Sequence, residues 1–271
     1  MPELPEVETT MRALAARLTG RQITTLVQRR PDLRFALPGR LAERLVGRRL
    51  TGFGRRAKYI LAELDEGETL LLHLGMSGRL LLGGPPAGPH EHLTFGFDDG
   101  SELRFVDPRR FGMLDLARTG DLERHPRLAG LGLEPLDASF DGAALAVALG
   151  ASSSPLKLAL MDQRRVVGVG NIYACESLFR ARLSPLRAAG GLRPAQSRRL
   201  AEAIRTVLLE AIGAGGSSLR DYMQANGELG VFQDSFAVYD RANAPCPACG
   251  RPVVKLVQGG RATYMCRRCQ R

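Results

Sequence analysis

Two Cys-x-x-Cys pairs, Cys246/Cys249 and Cys266/Cys269, close the chain with sixteen residues between them. This spacing suits one tetrahedral zinc ion, because two knuckles on a β-hairpin meet at one point when the connecting ribbon is about this long. A redox motif needs one such pair, not two. Four protein thiolates leave no open position, so the expected cofactor is one structural Zn²⁺ per chain. Residues 241–271 carry seven Arg or Lys and no Asp or Glu. The ribbon stays positive even after a zinc tetrathiolate contributes about −2, which points to a nucleic-acid finger.

The whole chain shares that bias. Its 271 residues carry a net charge of +10 with a pI near 10.0, and a polyanionic partner follows from the attraction of phosphates to Lys and Arg. Arg supplies 35 of the 38 basic residues, leaving only Lys58, Lys157 and Lys255 as lysine. An amine can give up its proton where guanidinium cannot, so these lysines are either functional or chance survivors. No apolar run approaches the roughly 20 residues of a spanning helix, and the acidic start is unlike a secretory signal. A cytoplasmic protein, not a membrane one, is expected.

The N-terminal stretch "MPELPEVE" sets three carboxylates, Glu3, Glu6 and Glu8, beside what becomes a secondary amine at Pro2 once Met1 is removed. Apolar residues at Leu4, Val7, Met11, Leu14 and Leu18 mark one helix face, with Pro5 in the first turn and Gly20 at the stop. Complementing the helix dipole accounts for Glu8 and serves as one reading of Glu6. Glu3 precedes the helix and is less well explained. From Arg21 to Leu116 short apolar runs predict mostly antiparallel sheet, with Asp98, Asp99 and Gly100 as a hairpin turn. After a Pro- and Gly-containing stretch, helical periodicity returns in "GAALAVAL", "PLKLALM", "NIYACESLFRARL" and "AQSRRLAEAIRTVLLEAI". The boundaries read as 1–120, a linker at 121–139, a helical domain at 140–240 and the ribbon at 241–271.

In "PELPEVE", "RRAKY", "HLGMSG", "DPRRFG", "LMDQRRVVGVGNIYA" and "GRATYMC" with the four cysteines, the chain resembles the bacterial formamidopyrimidine-DNA glycosylases nearly end to end. The resemblance implies an α+β multidomain fold: an N-terminal helix plus antiparallel β-sandwich, then a helix-two-turn-helix domain with a zinc ribbon. It implies a bifunctional glycosylase and AP lyase, acting as a monomer on damaged double-stranded DNA near the nucleoid. Oxidised purines such as 8-oxoguanine would be removed by Pro2 as nucleophile, with Glu3 as acid/base and β,δ-elimination following. Glu6 would organise the amine and waters, and Lys58 would serve proton transfer or phosphate contact. Met76, Arg109 and Phe111 resemble the residues that fill the vacancy left by an everted base. His90 matches a DNA-contact histidine, Lys157 a lysine near the damaged nucleotide, Asn171 a backbone contact at a helix start, and Arg261 the ribbon arginine that grips phosphates.

Three features depart from the family pattern or leave it open. "SSSPLK" lacks a lysine cluster upstream of Lys157, Asp240 stands where glycine is usual, and "QANGELGVFQ" resembles a lid over the everted base without revealing its selectivity. An endonuclease VIII type enzyme for oxidised pyrimidines is the nearest alternative; the "PELPEVE" start and full "DPRRFG" string argue against it. A non-catalytic zinc-ribbon DNA-binding protein is the other, and Pro2, Glu3 and Lys58 speak against that.

Overall fold

A computed structural model describes residues 2–86, 88–218 and 222–271; Met1, whose removal would expose Pro2, lies outside them. The chain divides into two compact units, residues 1–129 with 214–231 and residues 130–213 with 232–271.

The first unit begins with helix α1 (Leu4–Leu18), whose N-cap is Glu3. Glu6 at the third helical position turns back, and its Oε2 accepts the Glu3 N–H at 2.8 Å, satisfying a donor that the helix itself leaves unpaired. Leu4, Val7, Leu14 and Leu18 are buried as their spacing predicts, and Met11 packs at the margin. Strands β1 (Ile23–Gln28), β2 (Leu50–Arg56), β3 (Tyr59–Leu64), β4 (Glu68–His73), β5 (Arg79–Leu82), β6 (Glu91–Phe97), β7 (Glu102–Val106) and β8 (Met113–Arg118) follow, with the short helix α2 (Leu41–Leu45) after β1. They form two four-stranded antiparallel sheets, ordered β1-β6-β7-β5 and β2-β3-β4-β8. Ile60, Leu72, Leu93, Phe95 and Phe105 from these strands share one core with Val7 and Leu14 of α1. The expected hairpin at Asp98–Gly100 is present, with Asp99 Oδ1 accepting the Ser101 N–H at 3.0 Å. A 3-10 helix, Thr119–Arg124, runs into the stretch read as a linker, and Leu128 within that stretch is buried.

Residues 214–231 return to this unit although they follow the last long helix. Ala225 enters its core, and its carbonyl accepts the Leu82 N–H at 2.9 Å. The loop is closed at its neck: Val231 N–H donates to Ala214 O at 3.0 Å, and a Cβ on Gly230 would lie 2.3 Å from Gly216 O. Only glycine permits that approach.

The second unit contains α3 (Gly142–Leu149), α4 (Leu156–Met161), α5 (Asn171–Arg180), α6 (Pro194–Gly213) and the hairpin β9 (Val254–Gln258)/β10 (Arg261–Met265). Helices α3 and α5 pack on α6, and α5 also meets β10. Asp141 caps α3 through the Ala144 N–H at 2.8 Å. Helix α5 ends in a Schellman cap: Leu183 N–H reaches Leu178 O at 3.0 Å and Arg182 N–H reaches Phe179 O at 3.0 Å. Rings of Tyr173, Phe232, Phe236, Tyr239 and Tyr264 then stack in succession toward the ribbon, each 5.1 to 5.9 Å from the next. Asp240, the departure from glycine, has a φ of +55°, and its Oδ1 accepts the Tyr264 hydroxyl at 3.1 Å. The left-handed turn is therefore kept, and the carboxylate adds a bond that glycine lacks.

Glu176 is the one charge in α5 before Arg180, and it is fully buried. Its carboxylate accepts N–H groups from Ala237 (2.9 Å), Val238 (2.9 Å) and Tyr239 (2.8 Å), fixing the chain that enters the ribbon. Glu176→Gln replaces one of the two acceptor oxygens with a donor. We expect thermal unfolding to show a loss of about 2–4 kcal/mol; a variant as stable as the parent would contradict the account of this carboxylate.

Candidate active site and nucleic-acid interface

Pro2, Glu3 and Glu6 are all buried at the start of α1. While Glu6 Oε2 takes the Glu3 N–H, its Oε1 accepts the Ser217 N–H at 2.8 Å, and Tyr222 donates to the Glu6 carbonyl at 3.3 Å. One carboxylate thus binds the N-terminal stretch to the neck of the 214–231 loop. Burial, followed by the nearby Glu6 charge, pushes the Tyr222 phenol well above its ordinary pKa, so it stays a hydrogen-bond donor.

Lys58 sits in the two-residue turn between β2 and β3, where Ala57 takes a φ of +53°, and it is 7% exposed. The turn is tied to α1 through Arg55. Arg55 Nε donates to Glu8 Oε2 at 2.7 Å, and Arg55 Nη1 donates to the Ala57 carbonyl at 2.9 Å. Glu8 also accepts from Arg12 at 2.8 Å, so it is more than the dipole complement expected of it. It is a link between the lysine's turn and the helix. His73 lies in the field of Lys58: burial first, then the charges of Lys58 and Arg34, lower its pKa from 6.5 to about 4. Its neutral Nδ1 accepts the Gly75 N–H at 3.0 Å.

Gly75 opens the loop that bears Met76. Its φ is +59°, and a Cβ there would lie 2.2 Å from the Phe111 carbonyl carbon, so two loops touch through backbone alone. A single buried carboxylate joins them further. Asp107 Oδ1 accepts the Ser77 hydroxyl at 2.6 Å, and Oδ2 accepts the Gly112 N–H at 2.7 Å. Ser77 Oγ in turn accepts the Arg109 N–H at 3.2 Å. His92 Nε2 donates to the Asp107 carbonyl at 2.8 Å, while the Asp107 N–H donates to His90 O at 2.9 Å. On this frame His90, Arg109 and Phe111 are exposed and Met76 is partly so; the Arg109 guanidinium lies 5.1 Å from the Phe111 ring centre.

In the second unit the Ala262 carbonyl accepts from both Lys157 Nζ (3.0 Å) and Asn171 Nδ2 (2.9 Å). Lys157 Nζ also donates to Thr263 Oγ1 at 2.7 Å, and the residue has no exposed surface. Lys157, which the family resemblance sets near the damaged nucleotide, is thus buried beneath β10 in this structure. Its ammonium holds β10 in place beside the exposed Arg261, and lysine suits a narrow buried position that a guanidinium fork does not. The four sulfurs of Cys246, Cys249, Cys266 and Cys269 all lie within 4.8 Å of one another, with Cys249–Cys266 at 3.5 Å and Cys246–Cys269 at 3.9 Å. A tetrahedral zinc with bonds of about 2.3 Å requires sulfurs about 3.8 Å apart. The donor set fits the ion.

Residues 1–114 match the formamidopyrimidine-DNA glycosylase N-terminal domain, residues 131–223 the formamidopyrimidine-DNA glycosylase H2TH domain, and residues 244–271 the zinc finger found in FPG and IleRS. The chain belongs to the formamidopyrimidine-DNA glycosylase family. It is 51% identical over 276 residues to the formamidopyrimidine-DNA glycosylase of Acidiphilium cryptum and 52% over 283 residues to that of Cereibacter sphaeroides, with 100% of each chain covered. The crystal structure of MutM (Fpg) from Thermus thermophilus aligns with a TM-score of 0.89 at 45% identity, covering 99% of this chain and 98% of that one. Lactococcus lactis Fpg, bound to DNA containing N7-benzyl-Fapy-dG, aligns at 0.91 with 32% identity and 100% of both chains covered.

Of the residues the family resemblance singles out, Pro2, Glu3, Glu6, Lys58, Met76, His90, Arg109 and Phe111 lie in the first unit. Lys157, Asn171, Arg261 and the cysteines lie in the second. The residues that sequence reasoning passed over are those that brace this glycosylase frame: Ser77, Asp107, Glu176 and Ser217. Asp107 stood inside "DPRRFG" and Glu176 alone in an uncharged helical run, and each was a signal of a buried, hydrogen-bonded carboxylate.

His73 carries a pH dependence. Above about pH 6.5 both folded and unfolded chains leave it neutral; between 6.5 and about 4 only the unfolded chain binds the proton, so stability falls as pH drops through that window. Compared with His73→Asn, the parent should lose up to about 2–3 kcal/mol more on going from pH 7 to pH 4 in thermal melts. Parallel stability curves would contradict this.

Proposed function

We propose that the chain is a bifunctional base-excision-repair enzyme that removes 8-oxoguanine and formamidopyrimidines from duplex DNA and then cleaves the strand. The observation that carries this reading is the buried N-terminal stretch of a family member, in which Pro2 and Glu3 are held at the head of α1 through Glu6. With Met1 removed, Pro2 would present an α-amine of pKa about 7.7–8.0, so roughly a tenth is neutral near pH 7. Its nitrogen lone pair attacks C1′ and the glycosidic bond breaks, the electron pair leaving with the base, which takes up a proton. The added nitrogen then loses its own proton, and its lone pair opens the C1′–O4′ bond as O4′ is protonated. The resulting iminium acidifies C2′; loss of that proton expels the 3′ phosphate, and a second elimination expels the 5′ phosphate.

Glu3 would protonate the opening sugar and shuttle the C2′ proton, with Lys58 at the phosphates. Glu6 acts as the tether that orients both the amine and the loop. Met76, Arg109 and Phe111 would fill the stack after eversion, and His90, Asn171 and Arg261 would hold backbone. Lys157 positions Arg261 from behind. Zinc is structural. No described helix is long and apolar enough to cross a membrane. In line with its bacterial relatives, the enzyme would act as a monomer on DNA at the nucleoid.

A second reading has its own support, since Lactococcus lactis Fpg has also been crystallised with DNA containing an oxidised pyrimidine. Excision of 8-oxoguanine opposite cytosine should outpace that of thymine glycol, and Glu3→Gln should slow base release by about 10²–10⁴-fold without abolishing duplex binding. Faster release of thymine glycol would favour an endonuclease VIII type enzyme.

A further inference from the structure

Four arginines surround the zinc knuckles at the end of the ribbon remote from Arg261. Arg182, Arg251, Arg268 and Arg271 line one concavity with Cys249 and Cys269. All four are exposed, and none forms an ion pair among the described residues, whereas the neighbouring Arg180 pairs with Glu210 at 2.5 Å. Their main chain is fixed from several sides. Arg251 O accepts the Cys246 N–H at 2.8 Å, Arg271 N–H donates to Arg182 O at 3.4 Å, and Arg271 O accepts the Ser184 N–H at 3.2 Å. Gln270, buried between them, accepts the Cys266 N–H at 2.9 Å and donates to Leu183 O at 3.0 Å.

Arg182 occupies the left-handed position of the Schellman cap, with a φ of +54°. Glycine is the usual occupant, and a side chain there costs about 1 kcal/mol. Charge balance around the metal does not use up the cluster. A zinc tetrathiolate carries about −2 against four guanidinium groups, leaving about +2 facing solvent. Nor does Arg261 serve the same phosphates. It is five residues from Cys266 along β10, about 16 Å at the strand rise of roughly 3.3 Å per residue.

We propose that this concavity is a second phosphodiester-binding site, which holds a DNA backbone segment other than the one at Arg261. The proposal rests on the glycosylase reading in that a lesion duplex occupies the first site. The segment comes either from the flank of the same duplex or from a second duplex, and it would keep the enzyme on undamaged DNA through counterion release alone.

The test uses the zinc-loaded full chain and Arg251→Gln/Arg268→Gln. Both are first bound to a lesion-analogue duplex of about 15 base pairs, then offered a labelled undamaged duplex; separately, the lesion duplex is lengthened to about 40 base pairs. The parent should show either a ternary complex, which identifies a second duplex, or tighter binding with length, which identifies the flank. The double variant should lose that increment and about two units of salt slope, with zinc content and excision on the short duplex unchanged. No increment in the parent, or one that persists in the variant, would overturn the proposal. Zinc loss in the variant would also overturn it, by assigning the arginines to the metal centre. Failure of the short lesion duplex to bind would instead strike at the glycosylase reading.

Discussion

The Glu6 carboxylate is the interaction on which the N-terminal end of the first unit depends. A helix start leaves N–H groups without partners, and a chain terminus is ordinarily the most mobile part of a domain. Glu6 counters both by accepting the Glu3 N–H with one oxygen and the Ser217 N–H, more than two hundred positions away, with the other. An N-terminal amine is a useful nucleophile only if it is held in one place, because orientation supplies much of what a catalyst contributes. Anchoring of the adjoining Glu3 to a buried carboxylate would provide that for Pro2 under the proposed mechanism, and it places the base of the 214–231 loop in the same hydrogen-bonded group.

The same construction recurs at each functional surface: a buried polar group with several partners carries an exposed, chemically active neighbour. Asp107 joins the Met76 loop to the Arg109–Phe111 loop. The Ala262 carbonyl, held by Lys157 and Asn171, steadies the strand beside Arg261. Glu176 fixes the entry to the ribbon. The exposed side chains proposed to meet DNA are thus mounted on hydrogen-bonded frames, and satisfied buried networks are rigid ones.

Local signals in the sequence were sufficient for the elements. The 3/4 spacing from Leu4 to Leu18 is the helix observed, "GAALAVAL" is α3 residue for residue, and the four cysteines converge as their spacing required. Long-range signals were not. Nothing local marks residues 214–231 as part of the first unit, because the bonds that draw them there, to Glu6 and Leu82, are made by backbone groups that every sequence possesses. Lys157 reads as a surface charge because burial of an ammonium depends on acceptors that arrive from β10 about a hundred positions later. Asp240 departs from glycine yet keeps the turn, since aspartate tolerates the left-handed region and finds a partner in Tyr264.

The central claim is that the N-terminal proline is the nucleophile and that the surrounding carboxylates exist to hold and serve it. The most direct measurement is borohydride trapping on an 8-oxoguanine:cytosine duplex, with Pro2→Gly in parallel and sequencing of the trapped peptide. The account predicts a covalent adduct whose attachment point is Pro2. Protein shown to lack Met1, active in base release and yet leaving no adduct, would contradict the iminium mechanism and return the acidic N-terminal stretch to the role of a helix cap.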